Sequence, residues 1–367
     1  MLAIYRKYRP KTFDELLGQE HIVEVLKNAA RQDRFGHAYL FYGSRGSGKT
    51  TTARLLAKLV NCETRQKDKS FQVKGEPCNQ CRVCNEVDEG RALDVIEIDA
   101  ASNTQVEKMR DLIEGSRLAP SSYRYKFFIL DEVHMLSKSA FNALLKTLEE
   151  PPAHAIFVLA TTEYEKVPAT ISSRAQRFHF RKLALTEILK KLNMVVSNEK
   201  LKVDDDALEL IAALGEGSLR DAESLLDQIA SLDKYIELKD VERIVGKIGY
   251  KKTVQLAEYI LKNELKEALK YINEINQDGY NLIQLNKDLI HYLRRALTLK
   301  TNSQIEEIYL KELTKDELGH LKNHALLIQE DKHIALLKSL IRAYSEMRYS
   351  PFAIVPLEIA IIENLKE

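Results

Sequence analysis

Residues 37–60 read HAYLFYGSRGSGKTTTARLLAKLV, an apolar run, a turn rich in glycine and serine, and then a helical stretch. The turn, Gly43-Ser44-Arg45-Gly46-Ser47-Gly48-Lys49-Thr50, satisfies G-x-x-x-x-G-K-[ST]. Its glycines let the backbone bend so that successive N–H groups face phosphate oxygens. Lys49 approaches the β and γ phosphates, and Thr50, followed by Thr51, offers a hydroxyl to Mg²⁺. An ordinary strand-to-helix turn carrying an exposed lysine is the bland alternative. A strand before the turn and a helix after it are the context that the phosphate reading requires.

Outward from this turn, apolar runs alternate with helical ones: ALDVIEID, VEKMRDLIEG, YKFFILDE, AFNALLKTLEE, AIFVLATT. Short runs rich in Phe, Ile and Val between helices of ten or more residues predict βα units around a parallel sheet, an α/β domain over residues 1–181. Pro151–Pro152 end the helix that carries Lys146, because proline cannot continue the hydrogen-bond ladder. After residue 181 strand-like runs nearly vanish. Short helices with polar connections predict a three-helix domain over 182–245, and longer amphipathic stretches predict a helical domain over 246–367. The fold class expected is α/β followed by all-α.

A second component of the site is the strand Lys126-Phe-Phe-Ile-Leu-Asp131-Glu132, which delivers two adjacent acids to its C-terminal end. Asp131 suits Mg²⁺, directly or through water, and Glu132 suits proton removal from an attacking water. Asp131 as a cap of the following helix is the alternative, weakened by the phosphate loop. Thr162, after the strand AIFVLA, is a weaker candidate for orienting that water or sensing the γ-phosphate.

The 367 residues are 45% hydrophobic and 30% charged with a formal net charge of +1, so the chain folds as several domains and lacks a global basic signature. Any contact with DNA must then come from a local patch. No run approaches the roughly 20 apolar residues of a membrane span. The opening MLAIYRKYRPKTFDELLGQE has no apolar signal core and carries Asp14, Glu15 and Glu20, so a cytoplasmic protein is expected.

All four cysteines fall in one segment: Cys62, Cys78, Cys81 and Cys84. Four soft ligands with C-x-x-C spacing suit tetrahedral Zn²⁺ with no open position, a structural site. An iron–sulfur run would need a C-x-x-x-C-P completion that is missing; free or redox-active thiols stay open.

With these motifs in order, the sequence resembles the clamp-loader branch of AAA+ ATPases, nearest the gamma/tau family of bacterial DNA polymerase III. YRKYRPKTFDELLGQEHI, GSRGSGKTTTAR, the cysteine insert, ILDEVHMLSKSAFNALLKTLEEPP, FVLATTE, ISSRAQRF and GSLRDAESLLDQ carry the resemblance over about residues 1–245. It implies an AAA+ P-loop ATPase domain with a zinc insert, a lid domain and a helical collar. It also implies that Tyr8, Arg9 and Pro10 lie against adenine, that Thr162 is the first nucleotide sensor and that Arg220 is the second. Arg174 would be an arginine finger completing a neighbouring subunit's site, its guanidinium neutralising charge on the transferred phosphoryl. The family's usual Ser-Arg-Cys is here Ser173-Arg174-Ala175. Read without the motifs, Arg9, Arg174 and Arg220 are solvated surface arginines.

The resemblance further implies ATP, Mg²⁺ and Zn²⁺ as cofactors, and other clamp-loader subunits, a sliding clamp and primed DNA as partners in an oligomer with shared active sites. Thr104 and Arg110 are candidate DNA contacts, at a helix start able to present N–H groups to phosphates. A branch-migration helicase and a non-hydrolysing scaffold subunit are the alternative readings.

Overall fold

The protein is described from a computed structural model, covering residues 3–102, 106–232, 235–245, 250–309, 313 and 315–365. It divides into two compact units, Met1–Ile236 and Glu237–Glu367.

The first unit is built on a five-stranded parallel sheet: β1 (Ala38–Gly43), β2 (Val95–Asp99), β3 (Lys126–Asp131), β4 (Ala155–Thr161) and β5 (Gln176–Phe180), in the order β2-β3-β4-β1-β5. Every residue of β4 is buried, as expected of a parallel strand covered on both faces. Alternate side chains of β3 feed separate cores. Phe127 and Ile129 join Phe13, Ile22, Leu56 and Leu59 on one face, while Phe128 and Leu130 join Leu112, Phe141 and Leu144 on the other. Because all strands run the same way, the C-terminal ends of β1, β3 and β4 lie along one edge. Leu40 of β1 pairs with Leu159 of β4, and Leu159 pairs with Leu130 of β3.

The sheet is followed, still in the first unit, by the helices Leu185–Glu199, Asp205–Leu214 and Leu219–Ala230. The last begins at Ser218, whose hydroxyl accepts from the Asp221 N–H, a side-chain N-cap. The N-terminal helix Ile4–Lys7 packs against Leu219–Ala230. Next to it, the Tyr8 hydroxyl donates to Glu199 Oε1 at 2.6 Å, with Lys7 paired to the same oxygen.

The second unit is helical among its described residues, with Tyr250–Leu261, Leu265–Gln277, Leu282–Thr301, Lys315–Leu327, Glu330–Met347 and Ile354–Leu365 around their own core of Leu285, Leu289, Leu336, Leu340 and Ile361. No described helix is long and apolar enough to cross a membrane.

Candidate functional site

The phosphate-loop sequence leaves the end of β1 and enters the helix Lys49–Asn61. Gly46 and Gly48 adopt φ of +71° and +100°, values that side chains resist. Space is as restrictive as conformation. A Cβ on Gly43 would meet the Phe180 carbonyl at 2.1 Å, and one on Gly46 would meet Ser218 Oγ at 1.9 Å. The loop thus runs pressed between β5 and the N-cap of the helix Leu219–Ala230.

Lys49 is buried, and its Nζ donates to the carbonyls of Gly43 at 2.9 Å and Ser44 at 2.8 Å. Burial holds its ammonium below the usual lysine range, opposed by the charges of Glu132 and Asp131. Ser47 Oγ donates to the Ser44 carbonyl, whereas Ser44 Oγ is buried without a partner. A buried orphan hydroxyl in a glycine cradle beside a lysine held by carbonyls is a donor set suited to an anionic oxygen ligand.

At the end of β3, Asp131 Oδ2 accepts from Thr50 Oγ1 at 2.7 Å and Oδ1 accepts from the Glu132 N–H at 3.0 Å. Hydroxyl and carboxylate oxygens are the hard ligands Mg²⁺ takes. Glu132 sits at φ +48°, turning its side chain out of the strand's alternation. Its Oε2 accepts from the Thr162 N–H at 3.1 Å and from Thr162 Oγ1 at 2.9 Å. His134 completes the group: its Nδ1 lies 3.0 Å from Thr161 Oγ1 and 3.4 Å from Glu132 Oε2, and its Nε2 lies 3.2 Å from Glu163 Oε1. His134 carries no motif of its own in the sequence, and its place two residues after Glu132 is the signal that points to it.

A cavity opens over this edge. Its polar end is lined by Arg45, Gly46, Ser47, Gly48, Lys49, Thr50, Thr51, Asp131 and Glu132, and its other wall by Tyr5, Arg9, Pro10, Leu16, Leu17, Leu183, Leu219, Arg220 and Glu223. Arg9, Pro10 and Arg220, drawn from distant parts of the sequence, therefore meet the phosphate loop. The Arg220 guanidinium stands 5.2 Å from the ring centre of Tyr5. Tyr8 does not line the cavity; its hydroxyl is engaged by Glu199, and Tyr5, which lies outside the Tyr8-Arg9-Pro10 set, contributes the aromatic wall.

Arg174 lies outside this cavity. It follows the helix Ala169–Ser172, donates to the Thr170 carbonyl at 2.8 Å and pairs with Glu149 Oε1 at 2.6 Å. Arg110 is exposed on the helix Val106–Arg117, and Thr104 lies outside the described residues.

The four cysteines converge, with their Sγ atoms all within 4.8 Å of one another and those of Cys78 and Cys84 4.0 Å apart. A tetrahedral ion with bonds of about 2.3 Å to sulfur requires spacings of about 3.8 Å, so the set fits such an ion. Backbone N–H groups of Gln80 and Cys81 point at Cys78 Sγ, and that of Cys78 points at Cys62 Sγ. Hydrogen bonding from Cys84, with help from backbone N–H groups, brings the Cys62 thiol down to about 5, and the same contact pushes Cys84 up. Lys58, almost fully buried, ties the phosphate-loop helix to this module through Asn79 Oδ1 at 2.6 Å and Asp88 Oδ1 at 2.9 Å.

Comparison with known proteins covers nearly all of this architecture. Residues 18–184 match a model described as DNA polymerase III, delta subunit; 187–232 match the DNA polymerase III clamp loader subunit, ATPase lid domain; and 236–366 match DNA polymerase III subunits gamma and tau domain III. A DNA polymerase III subunit tau of Bacillus subtilis is 41% identical over 98% of this chain, which spans 62% of that relative's length. A DNA polymerase III subunit gamma of Buchnera aphidicola is 35% identical over 97% of this chain and 96% of its own. A solved Thermotoga maritima RuvB Holliday junction branch migration motor overlaps 69% of this chain and 79% of its own at 18% identity and a TM-score of 0.47. On the full-length match to the gamma subunit, the chain belongs to the gamma/tau subunit family of DNA polymerase III.

Proposed function

We propose that this chain is the ATP-hydrolysing motor subunit of a DNA polymerase III clamp loader, opening a sliding clamp and loading it onto primed DNA. The observation that carries the reading is the continuous set Lys49, Thr50, Asp131, Glu132 and Thr162 along one sheet edge, in a chain whose relatives are polymerase III subunits. Those relatives favour this reading over a branch-migration motor.

In it, the loop N–H groups and Lys49 hold the phosphates, Lys49 exchanging its carbonyl partners for phosphate oxygens. Thr50 and Asp131 would hold Mg²⁺, which would supply charge neutralisation at the phosphate oxygens. Glu132 takes the proton of the attacking water, while Thr162 holds Glu132 in position. Arg9 and Pro10 flank the base and Arg220 reaches the phosphates from the lid. Arg174, outside its own cavity, serves a neighbouring subunit; other loader subunits, the clamp and primed DNA are the partners. The four cysteines hold a structural Zn²⁺, and the C-terminal helical unit is the collar of the oligomer.

The test is ATP turnover by the assembled loader with and without clamp and primed DNA, beside a Glu132→Gln variant. Stimulation in the wild type and at least about a hundredfold loss in the variant are expected. An unstimulated wild type would remove the loader reading, and unchanged turnover in the variant would remove Glu132 as the base.

A further inference from the structure

Glu223 is 4% exposed, lines the nucleotide cavity and has no hydrogen-bond partner for Oε1. It lies four residues after Leu219 on the helix Leu219–Ala230, so both side chains share the face turned to the cavity. It shares the cavity wall with apolar Pro10, Leu183 and Leu219, with cationic Arg9 and Arg220, and with one further acid, Glu15, beyond the phosphate-loop end. A buried carboxyl left unsatisfied costs on the order of 1–3 kcal/mol, which favours its replacement by an apolar residue unless a ligand supplies the missing partner. An ionised phosphate carries only acceptor oxygens and so offers Oε1 no donor. The nucleobase offers the right complement, since adenine presents a 6-amino donor next to an N1 acceptor.

Building on the nucleotide reading of this cavity, we propose that Glu223 is a specificity-determining residue that reads the adenine edge. Its carbonyl oxygen accepts from the 6-amino group while its O–H donates to N1. The second bond needs the protonated acid. Burial supplies it, raising the Glu223 carboxyl to about 7 against the opposing charges of Lys191 and Arg9. Those two face it from the helix Leu185–Glu199 and the N-terminal segment, and neither is an acid or a histidine that would titrate in its place near neutrality.

The experiment compares equilibrium binding of ATP and of purine riboside triphosphate, which lacks the 6-amino group, to the full chain with Mg²⁺. Wild type is expected to prefer ATP by at least about tenfold. Glu223→Leu should cut that preference to about twofold, and Glu223→Gln, whose amide both accepts and donates, should keep it. From pH 6 to pH 8 the wild-type affinity for both ligands should decline, because the O–H that donates to their shared N1 is lost, while the affinities of Glu223→Gln stay level, a comparison that holds even if Glu223→Leu does not fold. Tenfold preference persisting in Glu223→Leu, equal binding of both ligands by wild type, or a flat wild-type pH profile each overturns the proposal. Binding of neither ligand by wild type overturns the nucleotide reading as well, whereas loss of both ligands together in Lys49→Ala supports that reading.

Discussion

The Thr50 hydroxyl donates to Asp131 Oδ2 across 2.7 Å, joining the helix after the phosphate loop to the end of β3. Two segments 81 residues apart thereby present hydroxyl and carboxylate oxygens at one point. Thr50→Val keeps the shape and removes the oxygen. Its ATP turnover should fall by at least about a hundredfold, and its nucleotide affinity should become insensitive to EDTA, measured by fluorescent-nucleotide titration. Retained Mg²⁺ dependence would assign the cation to other ligands.

Thr162 grips Glu132 through both its N–H and its hydroxyl. Thr162→Val deletes one of these bonds and leaves the acid in place. Turnover should drop about tenfold to a hundredfold with ATP affinity within about twofold, and Thr162→Ser should restore it. A loss of affinity matching the loss of rate would place Thr162 on the nucleotide instead.

Glu223 also sets a pH dependence of folding. Its carboxyl rises from its ordinary 4.5 to about 7 in the folded chain, so between these values the folded state binds more protons than the unfolded one. Stability must therefore fall as pH rises from about 4.5 to about 7 and then level, by roughly 3 kcal/mol at most. Urea denaturation of wild type against Glu223→Gln should show this slope in the first and lack it in the second. Parallel profiles would show that the carboxyl titrates normally.

The cysteine module is joined to the phosphate-loop helix through Lys58. Stripping metal with a strong chelator should release about one Zn²⁺ per chain, free four thiols to a colorimetric reagent and lower the melting temperature. Nucleotide binding should weaken less than the fold does, since no cysteine lines the cavity. Four reactive thiols before chelation would mean no ion is held there.

Arg174 is held by Glu149 and the Thr170 carbonyl, outside its own chain's cavity. Arg174→Ala should leave ATP binding to the isolated chain unchanged and lower turnover of the assembled loader by roughly 10³-fold. Equal loss in both would put the arginine in its own site.

The features legible in the sequence are those that follow from consecutive residues. Gly43–Thr50 states the loop, and KFFILDE states a buried strand ending in two acids, because glycine freedom and strand burial act locally. The order of β1 between β4 and β5 is a matter of pairing across distant segments and carries no such signature. The same holds for the base end of the cavity. The resemblance points to Tyr8, whereas the short helix Ile4–Lys7 aims Tyr5 at the lid helix and leaves Tyr8 on Glu199. Glu223 reads as one more polar position in LRDAESLLDQ, and only packing turns it inward.

The near-contact between Gly46 and Ser218 means that one atom of the lid helix rests where a side chain on the phosphate loop would have to be. Loop and lid thus behave like a drawer and its frame, closing only if nothing protrudes from either face. A single methyl at Gly46 would act as a wedge: besides resisting its left-handed backbone, it would prop the lid away from the loop. The absence of one carbon thus sets how far the enclosure can shut.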